Sequence, residues 1–106
     1  MVWYVYVAHV IAGAFLINAI PHLVNGLSGR RFPSPFASPP GVGESPAVLN
    51  VLWGFTNLVV GYVLLAGVGP FTFGISLDAL LVGIGALLMG WRLASHFGGL
   101  NRTPKS

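Results

Sequence analysis

The chain contains no cysteine and very few charged residues. Only 7% of its residues are charged, 55% are apolar and the mean hydropathy is +0.82. Because soluble domains carry about a quarter charged residues, this chain of 106 residues has too few polar side chains to cover a water-soluble fold. The lack of cysteine excludes disulfides, thiolate metal sites and thiol catalysis. The sequence shows no basic cluster with interleaved aromatic residues, so the expected partner is a lipid bilayer and not nucleic acid.

Long apolar stretches predict three transmembrane helices, because about 20 apolar residues cross about 30 Å of hydrocarbon. The predicted helices cover about residues 3–27, 46–66 and 76–97. Ser45 and Pro46 indicate the start of the second helix, since a capping side chain and a proline in the first turn favour a start. Gly98 and Gly99 indicate the end of the third. The predicted fold is all-α, an integral membrane bundle of three transmembrane helices in a single domain, residues 1–106.

The two connections between the predicted helices differ in length and composition. The connection from Gly67 to Gly74 is short and predicts a tight outer hairpin between the second and third helices. The other connection, residues 28–45, contains four prolines and cannot be helical throughout. It predicts polyproline-like or turn structure on the membrane surface.

The basic residues predict the orientation of the bundle. All of them lie in the Pro-rich loop 28–45 or in the C-terminal part of the chain: Arg30, Arg31, Arg92, Arg102 and Lys105. Cytoplasmic loops of membrane proteins carry an excess of Lys and Arg. The Pro-rich loop and the C-terminus are therefore predicted to be cytoplasmic, and the N-terminus is predicted to lie outside.

Small residues recur on one face of the third helix, which permits a second helix to approach closely. The residues are Ala79, Gly83, Ala86, Gly90 and Ala94. Two interpretations remain open at this point. The face either joins subunits of a homo-oligomer or packs within one three-helix bundle.

Polar side chains cluster in the predicted cytoplasmic half of the bundle. Asn18 and His22 share a face of the first helix, while Asn57 lies near the middle of the second and His96 near the end of the third. Polar groups inside a membrane cost energy unless paired, so the cluster indicates either a ligand site or hydrogen bonding between helices. The first interpretation assigns ligand binding to Asn18, His22, Asn57 and His96, beneath the Pro-rich loop, with possible support from Asn25, Asn50, Trp53 and Arg92.

His9 and Asp78 lie at similar depth toward the other end of the predicted bundle and are expected to form an outer pair. The environment of Asp78 depends on where the third helix begins. A start at Thr72 would place Asp78 about two turns inside the helix. A start at Ser76, which is preferred, places it in the first turn, where the helix dipole stabilises an anion.

Metal and catalytic sites are not expected. Three histidines on two helices match no metal-ligand spacing. A haem held between His22 and His96 is a less favoured alternative, and no other cofactor is expected. No catalytic residue is assigned, because no nucleophile–base pair and no paired carboxylates are present.

The stretch from Asn18 to Tyr62 carries several distinctive segments. They are Pro21-His22, GRRFP at 29–33, PGVGESP at 40–46 and NVLWG at 50–54. In these segments the chain resembles a group of small bacterial three-helix integral membrane proteins of unassigned function. The resemblance implies a bacterial inner membrane and assigns no residue a chemical role.

These observations lead to three functional hypotheses. The first is a homo-oligomeric inner-membrane protein that binds or transports a small ligand or ion through the cytoplasmic-side polar pocket. The second is a non-catalytic structural or accessory subunit of a larger membrane complex. The third is a haem-binding protein or another component of a membrane enzyme.

Overall fold

The structure is a computed structural model that describes residues 2–101. Within that range the chain forms three α-helices, α1 (Trp3–Leu27), α2 (Ala47–Ala66) and α3 (Leu77–Asn101). A short antiparallel pair, β1 (Phe32–Pro33) with β2 (Glu44–Ser45), lies between α1 and α2. Each helix is long and apolar enough to cross a membrane. The predicted all-helical class with three such helices is therefore confirmed.

The first helix lies between the other two. It runs antiparallel to α2, since Leu16 packs at Gly61 and Leu23 packs at Gly54. It runs parallel to α3, where Gly13 contacts Val82. The predicted tight hairpin of the second and third helices is wrong, because α2 and α3 hardly touch each other over the described residues.

The course of the connection between α2 and α3 explains this difference. Gly69 packs against Val5, and the ring of Phe71 meets the ring of His9 edge-to-face with the centroids 5.4 Å apart. Both partners belong to the first turns of α1. The connection therefore crosses over the start of α1 and delivers α3 to the side of α1 that α2 does not cover.

Glycine and asparagine form the face that α2 turns toward α1. The buried residues of α2 are Asn50, Gly54, Asn57 and Gly61, which recur at four, three and four residues. A Cβ at Gly54 would lie 2.8 Å from Leu23 Cγ. Leucines of α1 thus fill the spaces that the missing side chains leave, and the helices approach closely.

The contact between α1 and α3 uses a glycine outside the predicted small-residue face. Gly85 is buried against the backbone carbonyl of Val10, whereas Gly83 has no heavy atom within 4 Å of its Cβ position. The spacing of small residues shows that they share one face of α3, but it does not show which face of α3 packs against α1. The face of α3 that contacts α1 therefore differs from the predicted face, because the two backbones meet at Gly13 and Gly85.

The helix ends differ from the predicted ends in two places. Pro46 is the N-cap of α2 and makes no side-chain cap, while the Ser45 hydroxyl instead hydrogen-bonds the Ser34 hydroxyl at 2.5 Å. Helix α3 continues through Gly98 and Gly99 to Asn101, because glycine costs a helix only about 1 kcal/mol. The start of α3 agrees with the preferred alternative: Ser76 Oγ accepts the Ala79 N–H at 3.1 Å.

The segment between α1 and α2, residues 28–46, is built from turns and the β1–β2 pair. The pair is in register with Phe32 opposite Ser45 and Pro33 opposite Glu44. Strand β1 packs on α1, so the segment folds back over one end of the bundle. We call this the loop end, and the end with residues 67–76 the opposite end.

Candidate functional site

A cavity of about 340 Å³ lies at the loop end of the bundle. All three helices contribute polar or aromatic side chains to it: Asn18 and His22 from α1, Trp53 from α2, and Arg92 and His96 from α3. Because α2 and α3 stand apart on two sides of α1, the cavity forms between them with α1 as its floor.

The 28–46 segment covers the cavity. It contributes Pro33, Ser34, Pro35, Pro40 and Gly41 to the lining. Gly41 has a φ of +73°, a left-handed conformation that favours glycine. The turn presents the Gly41 carbonyl to His96, whose Nε2–H donates to it at 2.6 Å. This hydrogen bond ties the segment to α3.

Asn50 fixes the orientation of His22. The Asn50 amide nitrogen lies within hydrogen-bond distance of the backbone carbonyls of Phe32, Ser45 and Pro46, at 3.1, 3.1 and 3.2 Å. Those carbonyls identify it as the donor end, so Oδ1 is the acceptor and His22 Nδ1–H must donate to it at 2.8 Å.

The second ring nitrogen of His22 is thereby left as an acceptor. His22 lines the cavity, and between residues 2 and 101 its Nε2 makes no hydrogen bond. The ring is also confined by Phe32 and Trp53, with centroids at 5.4 and 6.5 Å. A neutral imidazole fixed at one nitrogen presents a lone pair in a constant direction, which suits it to accept a proton or a ligand hydrogen bond.

Trp53 and Arg92 bring unpartnered donors to the same cavity. The Trp53 Nε1–H is buried and has no hydrogen-bond partner in the described part of the chain. Arg92 makes no ion pair or hydrogen bond there either. Arg92 is exposed. A buried donor without an acceptor costs about 1–3 kcal/mol, so the fold alone does not account for the Trp53 donor.

Three asparagines that the sequence analysis assigned to the site do not line the cavity. Their side chains instead form hydrogen bonds to backbone carbonyls and to other side chains. Asn57 was predicted to bind ligand, but it is buried, accepts the Asn18 amide at 2.9 Å and donates to the Trp53 carbonyl. Asn25 donates to the Pro21 carbonyl, and Asn50 supports His22 from behind. Asn57 faces α1 directly because it belongs to the same stripe as Gly54 and Gly61.

Sequence reasoning missed the apolar part of the cavity wall on α3. Met89, Leu93 and Phe97 line the cavity together with Arg92 and His96. Their spacing of four residues puts all three on one face, next to the predicted polar pair. This four-residue spacing was the feature of the sequence from which the apolar wall could have been predicted.

His9 and Asp78 meet at the opposite end. His9 Nδ1 lies 3.2 Å from Asp78 Oδ1, and both residues are buried. The second carboxylate oxygen accepts the Thr72 N–H at 2.8 Å. The His9 nitrogens make no geometrically acceptable hydrogen bond to any described residue, so His9 and Asp78 approach closely without a hydrogen bond between them.

The side chains around the cavity do not form a set of metal or haem ligands in the described part of the chain. Over residues 2–101 no three His, Asp or Glu side chains come together as a metal site would require. His22 and His96 share the cavity, but His96 Nε2 is occupied by the Gly41 carbonyl. An iron between the two histidines would therefore have to bind His96 through Nδ1 or displace the Gly41 carbonyl.

Comparison with known proteins gives no assignment. No family model, no curated protein and no solved structure matches the chain.

Proposed function

We propose that the chain is an integral membrane protein of the bacterial inner membrane that binds or carries a small polar ligand in the loop-end cavity. Three apolar helices support the membrane location, and the sequence resemblance supports the bacterial inner membrane. The observation that carries the binding proposal is the Trp53 Nε1–H, which is buried beside the cavity with no acceptor among residues 2–101.

The chemistry of the cavity indicates what it would bind. Trp53 and Arg92 offer donors, and His22 Nε2 offers an acceptor. A ligand with an acceptor oxygen and one exchangeable proton complements all three. Aromatic and proline side chains supply apolar walls, as is typical of small-molecule sites.

A second candidate is an accessory subunit of a larger membrane complex, or a homo-oligomer without a ligand. The hydrogen bonds from Asn18 to Asn57 and from His22 to Asn50 join α1 to α2, as structural contacts would. Gly83 and much of α3 face away from the other helices and are free to meet another chain.

A thermal-shift experiment with benzoate distinguishes these functions. Benzoate is a small planar carboxylate whose oxygens can accept from Trp53 and Arg92, and its protonated form, benzoic acid, carries the exchangeable proton for His22. A ligand present at ten times its Kd stabilises the folded state by about 1.4 kcal/mol, so we expect benzoate to raise the Tm of the wild-type protein in nanodiscs. Trp53→Phe removes a donor that no described residue accepts, but keeps an aromatic ring against His22 and Phe36. It should abolish the shift and lower the Tm without benzoate less than Asn57→Leu does.

Asn57→Leu is the matched variant on α2. It removes a hydrogen bond to α1 but does not reach the cavity. It should lower the Tm without benzoate and retain the shift. If benzoate stabilises neither wild type nor Asn57→Leu, or stabilises Trp53→Phe equally well, the accessory-subunit function is favoured.

The proposed orientation places the 28–46 segment and the C-terminus in the cytoplasm, following the distribution of basic residues. Because the chain has no cysteine, single substitutions give clean probes. Ser38→Cys, in the 28–46 segment, should be protected from an impermeant thiol reagent in intact cells. Ile75→Cys, exposed at the opposite end, should be labelled. The reverse pattern would invert the topology. A second cytoplasmic probe, Ser106→Cys, lies outside the described residues.

A further inference from the structure

A second, apolar groove continues from the cavity. It has a volume of about 280 Å³ and is lined by Val10, Ala14, Gly85, Leu88, Met89 and Arg92. Met89 and Arg92 line the cavity as well. The groove and the cavity therefore adjoin at these two residues of α3.

The α1 side of both spaces is a single row of side chains. Val10 and Ala14 line the groove, and Asn18 and His22 line the cavity. Each step of four residues advances about 40° around a helix, so this row winds around α1, and the adjoining groove and cavity form one trough that follows it. The trough is apolar toward the opposite end of the bundle and polar at the loop end.

Arg92 lies where the apolar part of the trough meets its polar part. Met89 is the middle residue of Leu77–Asn101, and Arg92 follows it by three residues, about 4.5 Å along the axis. The hydrocarbon core extends about 15 Å from its centre, so the backbone of Arg92 lies inside the span, and its exposed side chain is long enough to extend toward the loop end. Intramembrane arginines normally face a counter-charge or a cavity, and within the described chain Arg92 has no anionic partner.

We infer that the trough binds a single-chain aliphatic carboxylate, with its carboxylate at Arg92 and Trp53 and its hydrocarbon tail in the groove. This inference rests on the proposed function and names its ligand class. The carboxylate supplies the missing charge for Arg92 and an acceptor for the Trp53 N–H. If the ligand enters as the neutral carboxylic acid, it transfers its proton to His22 Nε2 and leaves the carboxylate at Arg92.

The shape of the trough favours this class over other amphiphiles. One groove takes one tail, whereas a two-chain phospholipid would leave its second tail outside. An alcohol of the same length would leave Arg92 without a counter-charge. A short acid would leave the groove empty.

Fluorescence of Trp53 tests the inference. Trp3→Phe and Trp91→Phe change two exposed tryptophans and leave Trp53 as the only reporter. In phosphatidylcholine nanodiscs, dodecanoate should change its emission saturably. Dodecanol partitions into the same bilayer but lacks the charge, and should bind at least tenfold more weakly. Arg92→Gln should remove this preference, and Arg92→Lys should retain part of it.

A substitution in the groove separates tail from headgroup binding. Ala14→Phe in the reporter background should weaken dodecanoate at least tenfold and leave benzoate binding unchanged, because benzoate has no tail. Ala94→Phe, at an exposed α3 position that lines neither space, is the control for adding a phenyl ring.

The outcomes distinguish this inference from the proposed function. Failure of both dodecanoate and benzoate to bind overturns both. Benzoate binding with no advantage for dodecanoate, or with no effect of Ala14→Phe on dodecanoate, overturns the tail assignment alone. Loss of the dodecanoate response in phosphatidylglycerol nanodiscs would assign the trough to a bilayer phosphate headgroup and overturn the inference.

Discussion

Replacing Asn50 by alanine is expected to destabilise the protein by about 3 kcal/mol, because several buried hydrogen bonds are lost together. Asn50 is completely buried. Its amide donates to three backbone carbonyls at the junction of the 28–46 segment and α2, and its oxygen accepts from His22. The free energy of unfolding in mixed detergent and denaturant micelles measures the loss.

The same variant should also open the cavity cover. Without Asn50, the Phe32 carbonyl loses its contact with α2, so proteolysis or hydrogen exchange in the 28–46 segment should increase. Asn25→Ala is the matched control, because Asn25 bonds only the Pro21 carbonyl and the exposed Arg30, and should cost about 1 kcal/mol or less. Equal costs for Asn50→Ala and Asn25→Ala would contradict the anchoring role of Asn50.

Gly85→Leu is expected to separate α3 from α1. The Cβ position at Gly85 is already occupied by the backbone carbonyl of Val10, which no side-chain rotation can move. Over-packing of this kind costs about 1–3 kcal/mol, and a backbone clash belongs at the upper end. The Tm and the free energy of unfolding should both fall.

Gly83→Leu provides the control two residues away on the same helix. Its Cβ position is open, so within a single bundle the change should not destabilise the protein, and the gain in helix propensity should raise its stability by up to about 1 kcal/mol. Comparable destabilisation of both variants would contradict the assigned α1–α3 contact. A loss of oligomer mass confined to Gly83→Leu would instead support subunit contact through the outer face of α3.

Much of the fold was predictable because it depends on local sequence. Helix α1 begins and ends where the apolar stretch does, at Trp3 and Leu27. The first-turn position of Asp78 agrees with the preferred start of the third helix at Ser76. The hairpin prediction failed because a short connection does not specify where it packs, and here it packs on Val5 and His9.

The sequence predicted how deep each candidate site residue lies in the bundle, but not toward which neighbouring helix its side chain points. Asn18, His22 and His96 line the cavity, as do Trp53 and Arg92, which the prediction placed in a supporting role. Asn57 lies at a suitable depth yet faces α1. Depth follows from counting residues along a helix, whereas direction requires the position of the partner helix.

By itself the sequence determined three long apolar helices and a polar cluster in one half of the bundle, because hydropathy and helical spacing are properties of each segment alone. Only the tertiary structure decided that α1 is central, that Gly85 and not Gly83 meets it, and that Trp53 Nε1 and the Arg92 guanidinium find no partner among residues 2–101. These features depend on close contacts between distant segments. A helix two residues out of register, or a connection packed on the other side of α1, would change them without any change in hydropathy.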